Sequence, residues 1–262
     1  MKVITHEDFK QVYTRDPAAA AGRIESILSA LGDQVQLEEA SPANRDDIAA
    51  VHTERHIQKV TRRGLYDIAA LAAGATVQAA RTGLTEPCFA LVRPPGHHAS
   101  ADSCWGFCYF NNLAVALDHL KRHKRIESAY VLDFDLHFGD GTVSIMAGKR
   151  YATLHNPASP GRDEYLEEVA SGLAATRADL IAVSAGFDNH LQDWGGVLLT
   201  EDYETIGRLV RETSRRLDAG CFAVLEGGYN HRVLGASVLA FLRGLSGRRT
   251  AEKAATGKHD SL

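Results

Sequence analysis

The amino-acid sequence predicts an α/β fold: a single-domain, open and mostly parallel sheet with helices on both faces. Short apolar runs alternate with longer amphipathic stretches along the chain. Nearly continuous apolar runs are typical of strands that are covered on both faces, and the alternation places a helix between successive parallel strands. Polar, glycine-rich segments follow at least four of the apolar runs. In open α/β sheets, such segments form the ligand site.

The individual elements follow from this pattern. The strand predictions cover residues 88–92, 129–133, 151–155, 180–184 and 221–225. The helix predictions cover residues 17–31, 46–61, 65–81, 112–123, 202–219 and 234–245. No internal repeat or flexible linker divides the chain, so residues 1–246 are expected to form one catalytic domain. Residues 247–262 are polar and lack apolar periodicity, and we expect a flexible C-terminal tail.

Composition and charge narrow the classes of function. The chain has 262 residues, of which 45% are hydrophobic and 24% are charged, as in ordinary soluble globular proteins. A net charge of -4 argues against a nucleic-acid partner. The N-terminal segment has no apolar core of a secretory signal, and no apolar run approaches the roughly 18 residues of a membrane span. The four cysteines form no CxxC pair, so a reduced, cytoplasmic protein is expected.

Four polar segments are expected to meet at one edge of the sheet. They are RPPGHHA, DFDLHFGDGT, SAGFDNH and LEGGYN, and each lies at the carboxyl end of a predicted strand. Because ligands bind outside the carboxyl ends of parallel strands, these segments predict a single active site.

Three side chains in these segments suggest a metal centre. Asp135 and His137 are two residues apart near a strand end, so they project to the same side, and Asp188 follows another strand. Three protein ligands leave one position for water, as in catalytic zinc sites. The same ligands accept ferrous iron, so the working metal stays open. A D-x-H pair alone is more often a surface turn or a cap, and Asp188 together with the His97–His98 pair at the same edge of the sheet favours a metal here.

The histidine pair predicts acid–base chemistry. His97 and His98 follow a Pro-Pro-Gly turn, and Asp133 and Asp140 are carboxylates that can orient their rings. One histidine could serve as general base on the attacking water, and the pair could protonate the leaving amine. The alternative is an exposed loop pair without a catalytic role.

Aromatic residues near glycines complete the predicted site. Tyr229 follows two glycines, and its phenol could donate a hydrogen bond to the oxyanion that forms on a substrate carbonyl. Gly106 and Phe107 could line an apolar slot for an acyl group or an aliphatic stem. The ordinary interpretation of Tyr229 is a packed loop aromatic, and that of Phe107 is core packing.

These motifs resemble those of the histone deacetylase superfamily, which also contains bacterial acetylpolyamine amidohydrolases. The similar segments, in the family's order, are RPPGHHA, GFCYFNNLAVA, VLDFDLHFGDGT, SAGFD and LEGGYN. Weaker similarity in YTRDPAAAAGRIESIL and VHTERHIQKV extends the resemblance over residues 5–245. RPPGHHA together with AGFD is closest to class II, so the chain looks like a class II-like bacterial or archaeal deacetylase with an arginase/deacetylase-like sheet.

The resemblance implies a role for each matched residue. It implies zinc on Asp135, His137 and Asp188, histidines His97 and His98 oriented by Asp133 and Asp140, and a carbonyl-polarising Tyr229. Further implied positions are tunnel residues Gly106, Phe107 and Gly228, and Arg23 near an internal channel. The family also binds a structural potassium ion, and the ligands implied here are Asp133, Asp135, His137, Thr153 and Leu154.

The sequence departs from the family in four places. Phe138 replaces a second histidine that is not a ligand, and residues 141–154 are shorter than in the family, so the presence of a second potassium site stays open. The loop before Leu65 is too short for the acidic residue with which histone deacetylases hold a peptide backbone. Trp194 and Gly195 stand where polyamine-selective members place a glutamate. The substrate therefore stays open.

Several functions are compatible with this sequence to different degrees. The resemblance implies zinc-dependent hydrolysis of N-acyl amides, N-acetyl foremost, on lysine-like or other amines. An acetylpolyamine or other small-molecule amidohydrolase is the first alternative, and a non-catalytic acyl-group binder is the second. An arginase-like hydrolase with two manganese ions would need bridging carboxylates near Asp188, where the sequence has Asn189 and His190. Short rim loops also raise the hypothesis of a homo-oligomer that completes the site.

Overall fold

A parallel sheet forms the centre of the computed structural model, which describes residues 1–247. Within these residues its strands are β1 (Lys2–Thr5), β2 (Gln36–Glu39), β3 (Cys88–Ala90), β4 (Ala129–Asp133), β5 (Ala152–His155), β6 (Leu180–Ala185) and β7 (Gly220–Leu225). Their order across the sheet is β2-β1-β3-β7-β6-β4-β5, and every neighbouring pair is parallel. All carboxyl ends therefore lie at one edge of the sheet.

Two groups of helices cover the faces of this sheet. The helices are α1 (Arg23–Leu31), α2 (Arg45–Ala49), α3 (Glu54–Arg62), α4 (Tyr66–Gly83), α5 (Asn112–Arg122), α6 (Asp140–Met146), α7 (Arg162–Ala175), α8 (Thr200–Leu217) and α9 (His231–Ser246). Helices α1, α7, α8 and α9 pack as one group, and α2 to α6 pack as the other. This arrangement confirms the predicted α/β fold and its single domain.

The structure corrects the predictions at several elements. The predicted helix 17–31 is a 3₁₀ turn at Pro17–Ala19 followed by α1, because Gly22 has a φ of 84° that an α-helix cannot contain. The predicted helix 46–61 is two helices, and Thr53 starts the second by accepting a hydrogen bond from the backbone N–H of His56.

Four elements were not predicted at all, namely β1, β2, α6 and α7. Strand β2 has mostly exposed side chains and lies at the edge of the sheet, so it lacks the continuous apolar run of the central strands.

The described chain ends just after its last helix. Helix α9 ends at Ser246, where Gly247 takes a φ of 75°. The remainder of the predicted tail, residues 248–262, lies outside the described residues. Within residues 1–247, no helix combines the length and the apolar character needed to cross a bilayer.

Candidate active site

The three predicted metal ligands lie together at the carboxyl ends of β4 and β6. Donor atoms of Asp135, His137 and Asp188 are all within 4.8 Å of one another. His137 Nδ1 lies 3.2 Å from Asp135 Oδ1 and 3.1 Å from Asp188 Oδ2. Two carboxylates and an imidazole at this separation form a donor set suited to a divalent ion such as zinc or ferrous iron.

Backbone N–H groups hold the two carboxylates in place. Gly227 donates to Asp135 Oδ2 at 2.8 Å, and Leu136 donates to Asp188 Oδ1 at 3.1 Å. Among the described residues, Asp188 Oδ2 is buried and has no close polar partner other than His137 Nδ1, which lies 3.1 Å away and is itself a predicted ligand. A buried carboxylate is costly unless a cation neutralises it. The residues therefore fit a metal ion, and Asp188 Oδ2 is the atom whose buried charge most needs a cation.

The electrostatics of the cluster lead to the same conclusion. Burial and the neighbouring charge of Asp135 raise the pKa of Asp188 to about 6. Hydrogen bonds from His137 to Asp135 and to Asp188 raise the pKa of that imidazole to about 10. Both shifts show that the cluster attracts positive charge, which a metal cation would supply.

Glycines allow the loops to approach the ligands. A Cβ on Gly227 would lie 2.6 Å from both Asp135 Oδ2 and Asp188 Oδ2, and a Cβ on Gly186 would lie 2.1 Å from Asp135 Oδ2. Any side chain at either position would displace a carboxylate. The glycines of AGFD and EGGY are therefore required by the ligand geometry.

The histidine pair lies beside the metal cluster and is paired with the predicted carboxylates. His97 Nδ1 is 3.2 Å from Asp133 Oδ2, and His98 Nδ1 is 2.6 Å from Asp140 Oδ1. The ring centroids of the two histidines are 4.0 Å apart. Because each Nδ1 faces a carboxylate, each Nε2 is left for contacts in the site.

The two histidines have opposed proton affinities. Burial lowers the pKa of His97, but the charges of Asp135 and Asp133 outweigh burial and raise it well above its usual value. Burial and the charge of His97 lower the pKa of His98 to about 4. A cation held by Asp135 would oppose the rise at His97. In the metal-free protein, the pair therefore offers one ring that holds a proton and one that does not.

Tyr229 lies at the end of the Gly-Gly segment with its ring against Phe107, at a centroid distance of 5.9 Å. Fully buried Arg23 fixes this segment, since its Nε donates to the Gly228 carbonyl at 2.8 Å and its Nη2 to the Glu226 carbonyl at 2.6 Å. Burial raises the pKa of Tyr229, so the phenol keeps its proton and can donate it to a hydrogen bond.

Two consecutive left-handed residues shape the predicted slot. Gly106 has a φ of 56° and Phe107 a φ of 67°, a backbone conformation that is unusual for a bulky residue. A Cβ on Gly106 would lie 2.3 Å from Cδ2 of His98, so only glycine fits there. This turn brings Phe107 to Tyr229 and keeps the backbone close to His98.

The residues implied as potassium ligands lie on neighbouring strands. Thr153 and Leu154 of β5 pair with Tyr130 and Val131 of β4, and Asp133 ends β4. Potassium binding by these residues stays a prediction.

Glu226 is a site residue that the sequence analysis did not identify. It has no exposed surface, and its Oε2 accepts hydrogen bonds from the backbone N–H groups of Gly96 at 2.7 Å and His97 at 3.2 Å. Burial raises its pKa to about 7. It holds the histidine loop against the Gly-Gly segment. The sequence feature that could have identified it is a carboxylate directly after an apolar strand.

Trp105 is a second residue that was not identified. Its Nε1 donates to Asp140 Oδ2 at 2.9 Å, and its ring stacks on His98 at a centroid distance of 3.8 Å. Trp105 thus contacts both members of one histidine–carboxylate pair. The sequence feature that could have identified Trp105 is its position directly before Gly106 and Phe107.

Comparisons with known proteins identify the family to which the chain belongs. A profile described as the histone deacetylase domain matches residues 59–156 and 154–245. A probable deacetylase of Methanothermobacter thermautotrophicus is 33% identical over an alignment covering 90% of this chain and 88% of that protein. A histone deacetylase-like amidohydrolase of Pseudomonas aeruginosa is 30% identical, covering 90% of this chain and 80% of that protein. An acetylpolyamine amidohydrolase of Mycoplana ramosa is 32% identical, covering 61% of this chain and 56% of that protein.

A solved structure shows the same fold. The HD domain of HDA15 superposes with a TM-score of 0.78 at 22% identity, covering 94% of this chain and 89% of that one. Family profile, sequence relatives and fold agree, and the chain belongs to the histone deacetylase family.

Proposed function

We propose that this protein is a metal-dependent deacetylase that hydrolyses N-acyl amides, N-acetyl foremost, of lysine-like or other amines. The observation that carries the proposal is the cluster of Asp135, His137 and Asp188, with the histidine pair directly beside it. His97 Nε2 lies 3.8 Å from Asp135 Oδ1, so an acid–base group adjoins the ligand set.

Asp135, His137 and Asp188 would hold zinc or ferrous iron. Such an ion supplies a nucleophile at neutral pH by lowering the pKa of water, and it polarises the substrate carbonyl. The proposal includes a structural potassium ion at Asp133, Asp135, His137, Thr153 and Leu154.

The side chains around this centre would carry the remaining steps. His97 and His98 would take the proton of the attacking water and deliver one to the leaving amine, because Asp133 and Asp140 fix their Nδ1 atoms. The phenol of Tyr229 would donate a hydrogen bond to the carbonyl oxygen as negative charge develops there. Gly106, Phe107 and Gly228 would shape the slot and exclude water from it.

The alternatives differ in what supports them. An acetylpolyamine or other small-molecule amidohydrolase shares this chemistry and is supported by the relative from Mycoplana ramosa. A non-catalytic acyl binder would have no use for Tyr229 or the histidine pair. A two-manganese centre would need bridging carboxylates, whereas His190 beside Asn189 bonds to Thr200 Oγ1 at 3.2 Å. A reduced, cytoplasmic setting belongs to the proposal and is supported by the four free cysteines.

Acyl release from defined substrates tests this function. The purified protein is stripped of metal, reloaded with zinc or ferrous iron, and incubated with acyl-lysine peptides, acetylpolyamines and small acylated amines. We expect acetate release that depends on metal and is lost in Asp188→Asn. Absence of release from every substrate with both metals would refute the proposal. One metal equivalent per chain excludes the two-manganese alternative.

A further inference from the structure

Most of the exposed large apolar side chains of residues 1–247 belong to loops around the proposed catalytic site. They are Trp105, Leu136, Phe138, Leu191 and Trp194, whereas Val12 and Leu37 lie elsewhere. Trp105 and Trp194 are 56% and 53% exposed. Exposed apolar side chains are unremarkable when scattered, but a contiguous group marks a binding surface.

Ring contacts join these tryptophans to the site in one continuous row. Trp105 packs on His98 with ring centroids 3.8 Å apart and an interplanar angle of 32°, and Trp194 stacks on Tyr229 at 4.1 Å. His137 links the two halves, since its ring centroid lies 5.9 Å from that of His98 and 6.1 Å from that of Trp194. We call this row the aromatic mouth, and it consists of His98, Trp105, Phe107, His137, Trp194 and Tyr229.

The carboxylates around the aromatic mouth already accept hydrogen bonds within the protein. Asp16, which lines a pocket with Trp105 and Phe107, accepts them from Thr14 Oγ1 and from the backbone N–H of Ala19. Asp140 accepts hydrogen bonds from His98 and Trp105. Asp193 accepts from the backbone N–H groups of Tyr229 at 2.8 Å and Trp194 at 2.9 Å. An incoming ammonium group would therefore meet carboxylates whose charge is already partly offset by these bonds. The exposed indole faces are therefore the principal contacts that the mouth offers to a substrate.

We propose that the aromatic mouth binds an apolar, preferably aromatic, group on the amine carrier next to the scissile amide. This inference rests on the proposed function and specifies its substrate class. An aryl group would stack on the indole faces and remove apolar surface from water. A polyamine would gain cation–π attraction but no free carboxylate, and it would lose part of its hydration.

Two lysine derivatives that differ at one substituent test the proposal. Nα-acetyl-Nε-acetyl-lysine is prepared as its methylamide and as its benzylamide, with N-acetylspermidine as the cationic comparison. We expect the benzylamide to have a KM about tenfold lower than the methylamide, with kcat changed less than about twofold. N-acetylspermidine should have a lower kcat/KM than either amide.

Two variants test whether Trp194 causes the preference for the benzylamide. In Trp194→Ser the KM ratio between the two amides should fall to about 2 or less, because one indole face is lost. The ratio is taken within one variant, so an altered Tyr229 affects both substrates equally. Leu37→Ser, which removes a side chain 51% exposed on β2, should leave the ratio unchanged.

Three results would overturn the inference. They are equal KM values for the two amides, preference for N-acetylspermidine, and a dimer in sedimentation that Trp194→Ser dissociates without any change in selectivity. Absence of hydrolysis would refute the proposed function instead. In that case a tryptophan-fluorescence titration decides the inference, since equal Kd values for the two amides would exclude an aryl-binding mouth.

Discussion

The floor and the mouth of the candidate site have opposite distributions of polarity and exposure. We define the floor as six ionisable residues that are at most 5% exposed, namely Arg23, His97, Asp133, Asp135, Asp188 and Glu226. The mouth carries aromatic rings, and more than half of the surface of Trp105 and Trp194 is exposed. Most proteins bury aromatic residues and expose charges. The inversion indicates that the floor is built to bind charge and the mouth to bind an apolar group.

Substitutions in the two regions should therefore differ in their energetic cost. A buried charge is tolerated only with partners, so each floor residue depends on specific neighbours, as Arg23 does on the Gly228 and Glu226 carbonyls. An exposed ring depends on fewer contacts, and its loss leaves no buried charge unpaired. We therefore expect large effects from changes in the floor and smaller effects from changes in the mouth.

Asp188→Asn is expected to have the largest effect. It removes one ligand and one charge, so metal content and kcat/KM should fall, the latter by about a thousandfold or more. The metal-free variant should melt at a higher temperature than the metal-free parent, because a neutral asparagine removes the repulsion between the buried carboxylates of Asp188 and Asp135. Metal analysis, kinetics and calorimetry measure the three quantities.

The control for this variant is Glu212→Gln, which neutralises an exposed carboxylate that pairs with Arg208 on α8. It should change none of the three quantities. A metal-free Asp188→Asn protein that melts below its parent would contradict the account of the floor.

Tyr229→Phe should have the second-largest effect. The ring and its contacts with Trp194 and Phe107 are retained, and only the hydroxyl is lost. We expect kcat to fall by about 10²- to 10³-fold with unchanged metal content, since the hydrogen bond forms in the transition state. Stopped assays on one acetylated substrate measure this. A fall in metal content, or a change confined to KM, would argue against the role as oxyanion donor.

The sequence predicted strands and candidate site residues where the pattern that identifies them lies within one short segment. Central strands β4 and β6 are buried throughout and were predicted from their apolar runs. Asp135, His137 and Asp188 followed from the rule that ligand sites lie beyond the strand ends, together with the family motifs. The structure brings these three residues together, while their metal binding awaits the experiments above.

The sequence did not predict site residues whose role depends on contacts between distant segments. Glu226 bonds to Gly96, 130 positions earlier in the chain, and Trp105 bonds to Asp140, 35 positions later. Neither partner can be read from local spacing. Strand β2 was missed for a different reason, because an exposed edge strand has no continuous apolar run.

Trp105→Phe sharpens the comparison at the point where floor and mouth meet. Phenylalanine keeps a ring over His98 but cannot donate to Asp140 Oδ2. Since the Asp140 side chain is 47% exposed, we expect only an approximately fivefold fall in kcat, which is less than the roughly 10- to 100-fold loss typical of groups that orient a metal ligand. Trp105→Ala loses the ring as well and should fall further. Equal activities of Trp105→Phe and the parent would show that this hydrogen bond has no catalytic effect.

Glu226→Gln should have the smallest effect and should depend on pH. Burial raises the pKa of Glu226 from its usual 4.5 to about 7 in the folded protein, so the folded state binds a proton more tightly than the unfolded chain. The resulting stabilisation is complete below pH 4.5 and is lost as the pH rises through about 7. Glutamine keeps an acceptor for the backbone N–H groups of Gly96 and His97 but does not ionise.

The melting temperature of Glu226→Gln should therefore match that of the parent at pH 5 and exceed it by about 3 °C at pH 8. Calorimetry at both values measures the difference, with exposed Glu212→Gln as the control that should show none. Equal shifts at both pH values would mean that packing rather than charge distinguishes the two side chains. A lower melting temperature at pH 8 would mean that the ionised carboxylate stabilises the histidine loop, and the floor would then tolerate its charge better than burial alone implies.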